Sequence, residues 1–320
     1  MKNNEKERRL FRLKERGLMP NLAILKNLLK LGVVSRTFML KEHDLILKDI
    51  VNGIGKYSDY STEQREWLES LIYIQLLERI FFLIEDFTKV INGLNGDLCE
   101  FLENLIDSPN PEKILRSLDY EKWNRILRYA ELENLPISDK DKQFLSDIRN
   151  KSCKHLLAIV KFCLDFLNLH KIFFNKFKHG NSIIYGFKKI KINGETSFLI
   201  PAIYNRRTPE KTKPIIINRK IYEKWKTFHD SIVILISDLI ERTIAYIERD
   251  CRPFVEYVSY CGMKPDELNR INKMIAKCDS NVIRINIVTT IKLTIDVKKL
   301  KKFTELYDSF DKIMQSTQTG

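Results

Sequence analysis

Hydrophobic positions recur with a helical period along most of this chain and alternate with a period of two in only a few short stretches. The first strong element opens at Ser61. Ser61-Thr62-Glu63-Gln64 has the form of a capping box, with a hydroxyl three residues ahead of an amide that can bond back. Trp67, Leu68, Leu71, Ile72, Leu77, Ile80, Phe81, Ile84, Phe87 and Ile91 follow at helical spacing. They predict a helix of about eight turns that stops near Gly93. A shorter helix is expected over 97–107, ending at Ser108-Pro109-Asn110-Pro111, and another from Pro111 to about Leu132.

A second cap, Ser138-Asp139-Lys140-Asp141, opens the most informative run. Phe144, Leu145, Ile148, Leu156, Ile159, Val160, Cys163, Phe166, Leu167, Ile172, Phe173 and Phe177 keep the period as far as His179. A straight helix of that length would reach about 60 Å, which predicts a break around Lys151. Gly180 suits the left-handed residue that ends a helix. Two alternating runs then flank Asn193-Gly194, the strongest short hairpin signal. A basic loop, 205–214, leads to a helix with a seam of Ile221, Trp225, Phe228, Ile232, Leu235, Leu239 and Ile247, ending before Pro253. A short helix is expected from Pro265, strand-like alternation over 281–297, and a terminal helix from Lys299 to about Met314.

Residues 1–17 read as a charged arm, frayed or marginally helical, and 21–51 as one or two short helices. The fold class that emerges is mainly α: a helical bundle with an inserted β-hairpin and a smaller α+β C-terminal region. The expected division is 1–55 (basic arm and short helices), 56–180 (bundle), 181–214 (basic hairpin and loop) and 215–320 (C-terminal helix plus small α+β region).

Composition narrows the function. A chain of 320 residues with 44% hydrophobic and 30% charged content is expected to fold as a soluble protein. No apolar run approaches the roughly 20 residues of a membrane span and no signal peptide is visible, so no membrane partner and a cytoplasmic location are expected. The six cysteines (Cys99, Cys153, Cys163, Cys251, Cys261, Cys278) form no C-x-x-C and read as free thiols. The net charge of +13 is unevenly placed: residues 171–226 hold 14 Lys/Arg against three Glu, an excess of +11. Such a patch suits a phosphate-rich partner, the alternative being a solvated lysine-rich face.

Signatures of nucleotide, hydrolase and zinc-protease sites are missing, and with five histidines no metal site or cofactor is expected. Two constellations remain. In "RNKSCKH", Arg149 and His155 are separated by five residues. In "FNKFKHG", Asn175 and His179 are at i and i+4, on one helix face bordered by Lys171 and Lys178. A histidine beside fixed cations can cut RNA without a metal, because the 2′-hydroxyl nucleophile belongs to the substrate.

Arg149-Asn150 followed by His155 resembles the R-x4-6-H pattern of HEPN domains. These are helical bundles of prokaryotic toxin and defence systems, many of them metal-independent endoribonucleases. "FNKFKHG" is similar to the N-x-x-K-H-G motif that closes the last bundle helix in several HEPN-like proteins. The resemblance covers about 60–180 and implies a homodimer in which Arg and His from two protomers meet in a cleft. "LLERIFFLIEDF" looks like the earlier bundle helix that often carries an acid facing that cleft, which points to Glu85. If "FNKFKHG" is the active motif, Phe174 stands where the family has arginine, and Lys171 or Lys178 would have to supply the cation.

The resulting expectation is an RNA-directed, HEPN-like protein, a candidate metal-independent endoribonuclease. His179 or His155 would act as general base or acid, Arg149, Lys171 and Lys178 would hold phosphate, and Asn175 would orient the site. Lys188, Lys189, Lys191, Arg206, Arg207, Lys211 and Lys213 would track the RNA backbone, with Tyr185, Phe187 and Tyr204 able to stack bases. The rival expectation is a non-catalytic nucleic-acid-binding or dimerising scaffold.

Overall fold

The computed structural model describes residues 2–29, 34–107, 110–128, 132–170, 188–192, 195–200, 215–249 and 264–277. It is a mainly helical protein with a small three-stranded antiparallel sheet. The helices are α1 (Lys2–Glu15), α2 (Leu18–Asn27), α3 (Val34–Asn52), α4 (Thr62–Asn95), α5 (Phe101–Ile106), α6 (Pro111–Ser117), α7 (Tyr120–Leu127), α8 (Asp139–Leu169), α9 (Arg219–Glu248) and α10 (Pro265–Lys277). The strands are β1 (Lys188–Ile192), β2 (Glu195–Ile200) and β3 (Ile215–Ile217), in the order β1-β2-β3. The chain divides into two compact units. One draws on Met1–Ile114 and Asp165–Ala245, the other on Leu115–Leu164 and Tyr246–Gly320.

The first unit is built around α4. Its start is the expected capping box: Gln64 N donates to Ser61 Oγ at 3.2 Å and Ser61 N donates to Gln64 Oε1 at 2.8 Å. The helix runs past Gly93 to Asn95. The end thus falls two residues from where it was expected, and a Cβ at Gly93 would lie 2.7 Å from the Phe101 ring, so the glycine lets α5 approach. Trp67, expected in the buried stripe, is exposed, since the apolar face begins a turn later at Ile72. Six of the seven α9 seam residues, Ile221 through Leu239, are buried in this unit. At the core Phe166 touches Phe81, Phe228 and Trp225, with ring centroids 5.5, 5.8 and 6.1 Å away. His170 packs 4.8 Å from Phe166 and 5.8 Å from Trp225.

The hairpin register pairs Ile192 with Glu195 across Asn193-Gly194, as the dipeptide predicted. The sequence reading passed over β3, which pairs with β2 through Phe198↔Ile217. A strand of three isoleucines is too short to show alternation.

In the second unit the helix expected from Pro111 to Leu132 is two. Asp119 leaves the helical path and its side chain accepts from Lys122 N at 2.8 Å, starting α7 afresh. Ser138 caps α8, accepting from Asp141 N at 3.3 Å. The break expected at Lys151 is absent: α8 is one continuous helix of 31 residues. Ser152 and Cys153 are buried at that point, so the helix keeps an inward face through it. Leu132, Leu135, Leu145, Ile148, Ile271 and Met274 form this unit's core. Arg270 pairs with Asp141 at 3.0 Å and lies over the Phe144 ring at 4.3 Å. The charged arm, expected to be frayed or marginally helical, is helix α1, with Leu13 buried. The strand expected over 281–297 and the terminal helix lie outside the described residues. Among those described, no helix is long and apolar enough to cross a membrane.

Candidate functional site

Arg149 and His155 project from the middle of α8, in the second unit. Six residues of unbroken helix separate them by about 9 Å of rise and about 120° of rotation. Both are half-buried, and Arg149 Nε and His155 Nε2 are shielded from solvent. Arg149 acts on Cys153 one turn away. Burial pushes that thiol up to about 11, and the arginine charge opposes the rise. Cys153 Sγ also lies 3.8 Å from Asn124 Oδ1 of α7. Cys153 thus meets Asn124 where α7 and α8 touch.

Glu85 belongs to α4 of the first unit. It pairs with Lys89 one turn on at 3.6 Å, and its side chain is 14% exposed. Of the basic residues expected to track RNA, Lys188 lies in β1, while Lys189 and Lys191 are exposed on that strand. Lys189 forms an ion pair with Glu66 of α4. Asn175, His179, Lys171, Lys178, Arg206, Arg207, Lys211, Lys213, Tyr185, Phe187 and Tyr204 lie outside the described residues.

The first unit brings together a second group that the sequence reading missed. His43 of α3 and Arg79 of α4 meet with Nε2 and Nη2 3.0 Å apart. A guanidinium only donates, so His43 Nε2 is the acceptor and the ring is the Nδ1–H tautomer. Burial first, and Arg79 second, hold the His43 pKa below its ordinary value, which favours that neutral form. Arg79 in turn is lowered chiefly by burial and interacts electrostatically with Tyr222 of α9. The Tyr222 hydroxyl donates to Asp44 Oδ1 at 3.3 Å, and Asp44 pairs with Lys226. Tyr222 stacks at 5.0 Å on Tyr73, whose hydroxyl donates to Glu69. One clue was legible: Arg79 interrupts an apolar stretch in which Leu76, Leu77, Ile80 and Phe81 are all buried.

Among the described residues, no group of three His, Cys, Asp or Glu side chains is placed to hold a metal ion. No family model, curated protein or solved structure matches the chain.

Proposed function

We propose that the chain is a HEPN-like, RNA-directed protein and a metal-independent endoribonuclease. The observation that carries this reading is the pair Arg149 and His155, held on one rigid helix with their inner nitrogens out of solvent. In its neutral form His155 takes the proton of an RNA 2′-hydroxyl. The 2′-oxygen attacks the adjacent phosphorus, and Arg149 balances the charge that grows on the phosphoryl oxygens. The 5′-oxygen leaves and takes a proton from solvent, so the products carry a 2′,3′-cyclic phosphate and a 5′-hydroxyl. A rise of about 9 Å between the two residues is long for one phosphate, and this favours a homodimer in which each copy completes the other's pair.

The test is cleavage of single-stranded RNA by the full chain in excess EDTA, with end-group analysis. His155→Ala is expected to lower the rate by about 100-fold or more. RNA that binds with a steep salt dependence yet stays intact would sink the catalytic reading in favour of binding alone.

A further inference from the structure

Several cations of the first unit are matched by carboxylates among the described residues. Arg36 pairs with Asp86, Lys89 with Glu85, Lys189 with Glu66, Arg219 with Glu223, and Lys226 with Asp44. Arg79 is half-buried like several of these, yet its hydrogen-bond partner is the neutral imidazole of His43. The carboxylate nearest in sequence, Glu78, acts on it electrostatically without reaching ion-pair distance. Arg79 therefore bears a charge that the described part of the unit does not neutralise. A partly desolvated guanidinium without a counter-charge is costly, and a residue needed only for shape would be better served by an uncharged side chain. The arrangement around it is suited to an anion. His43 uses one of the five N–H donors and fixes the guanidinium plane. The other nitrogens are not walled off from solvent. Asp44, which accepts from the Tyr222 hydroxyl, pairs with Lys226.

We infer that Arg79, fixed by His43, forms a phosphate-binding site on the first unit. The planar fork of Arg79 offers paired donors to two phosphoryl oxygens, a geometry that a lysine cannot reproduce. The ligand is a phosphoryl group, either a free phosphate ester or the backbone of an RNA strand. The inference goes beyond the proposed ribonuclease reading, since it needs neither Arg149 nor His155.

The experiment titrates the full chain with inorganic phosphate by calorimetry and with a fluorescein-labelled RNA oligomer by anisotropy. Wild type, Arg79→Gln, Arg79→Lys and Arg36→Gln are compared. Arg79→Gln should weaken binding by about tenfold or more, Arg79→Lys nearly as much, and Arg36→Gln by less than about twofold. Loss of phosphate and RNA affinity together identifies the strand backbone as the source, and loss of phosphate affinity alone identifies a free phosphate ester. If Arg79→Gln does not fold, Arg79→Lys and the His43 ring signals of the wild type, followed by NMR during phosphate titration, give the answer. Unchanged affinities in folded Arg79 variants, His43 signals that phosphate does not move, or no saturable binding by the wild type would each overturn the assignment.

Discussion

His170 offers the most direct test of the first unit's core. The ring is 2% exposed and lies among Phe81, Phe166 and Trp225, at centroid distances of 6.3, 4.8 and 5.8 Å. Burial among hydrocarbon penalises the imidazolium and lowers its pKa from 6.5 to about 3. In the unfolded chain the same ring takes up its proton near 6.5. Above that pH both states are neutral and folding carries no proton penalty. Below it the unfolded state binds a proton that the folded state refuses, so stability falls as pH drops from 6.5 toward 3. Each pH unit in this window costs about 1.4 kcal/mol, so a shift from about pH 7.5 to about pH 5 removes roughly 2 kcal/mol. His43, also held below its ordinary value, adds a loss of the same sign. The His170→Gln variant retains that contribution and removes only the first. Urea unfolding followed by tryptophan fluorescence, with Trp225 as a reporter beside the ring, should show the wild type losing about 2 kcal/mol more than the variant over that range. Parallel pH profiles, or an NMR titration of His170 near 6.5, would refute the reasoning.

Two further perturbations bear on local structure. Gly93→Ala should gain about 1 kcal/mol of helix propensity yet destabilise overall by about 1–3 kcal/mol, because the new Cβ meets Phe101 Cε2 at 2.7 Å and Phe101 O at 3.2 Å. Adding Phe101→Leu should recover part of that loss in a double-mutant cycle, and additive effects would show that the contact is not the cause. Ser61→Ala removes the acceptor for Gln64 N and should cost about 1 kcal/mol in urea unfolding, with Ser61→Asp close to wild type.

The helical frame was legible wherever a single segment contains its own instructions. Ser61 and Gln64 cap each other within one turn, the α9 seam repeats its period, and Asn193-Gly194 sets a register that β1 and β2 obey. Legibility failed where a distant partner decides. The close approach of Phe101 to Gly93 shows only once α5 is packed, and Asp119 splits a helix that composition alone would continue. The candidate chemistry divides in the same way. Arg149 and His155 are close in sequence and could be read from spacing. His43 and Arg79 stand 36 positions apart and become neighbours only when α3 lies on α4.

The placement of β1 gives its lysines a purpose that involves no ligand. Among the described residues the strand is paired on one side only, and the backbone groups of its other edge could template the addition of a strand from another molecule. Lys189 and Lys191 are exposed on that strand and alternate with Ile190 and Ile192. A second copy docking edge to edge would have to bring like charges together, and Lys189 is further tethered to Glu66. The hairpin thus contains its own guard against self-assembly, so neutralising these lysines should be read first for aggregation and only then for lost affinity.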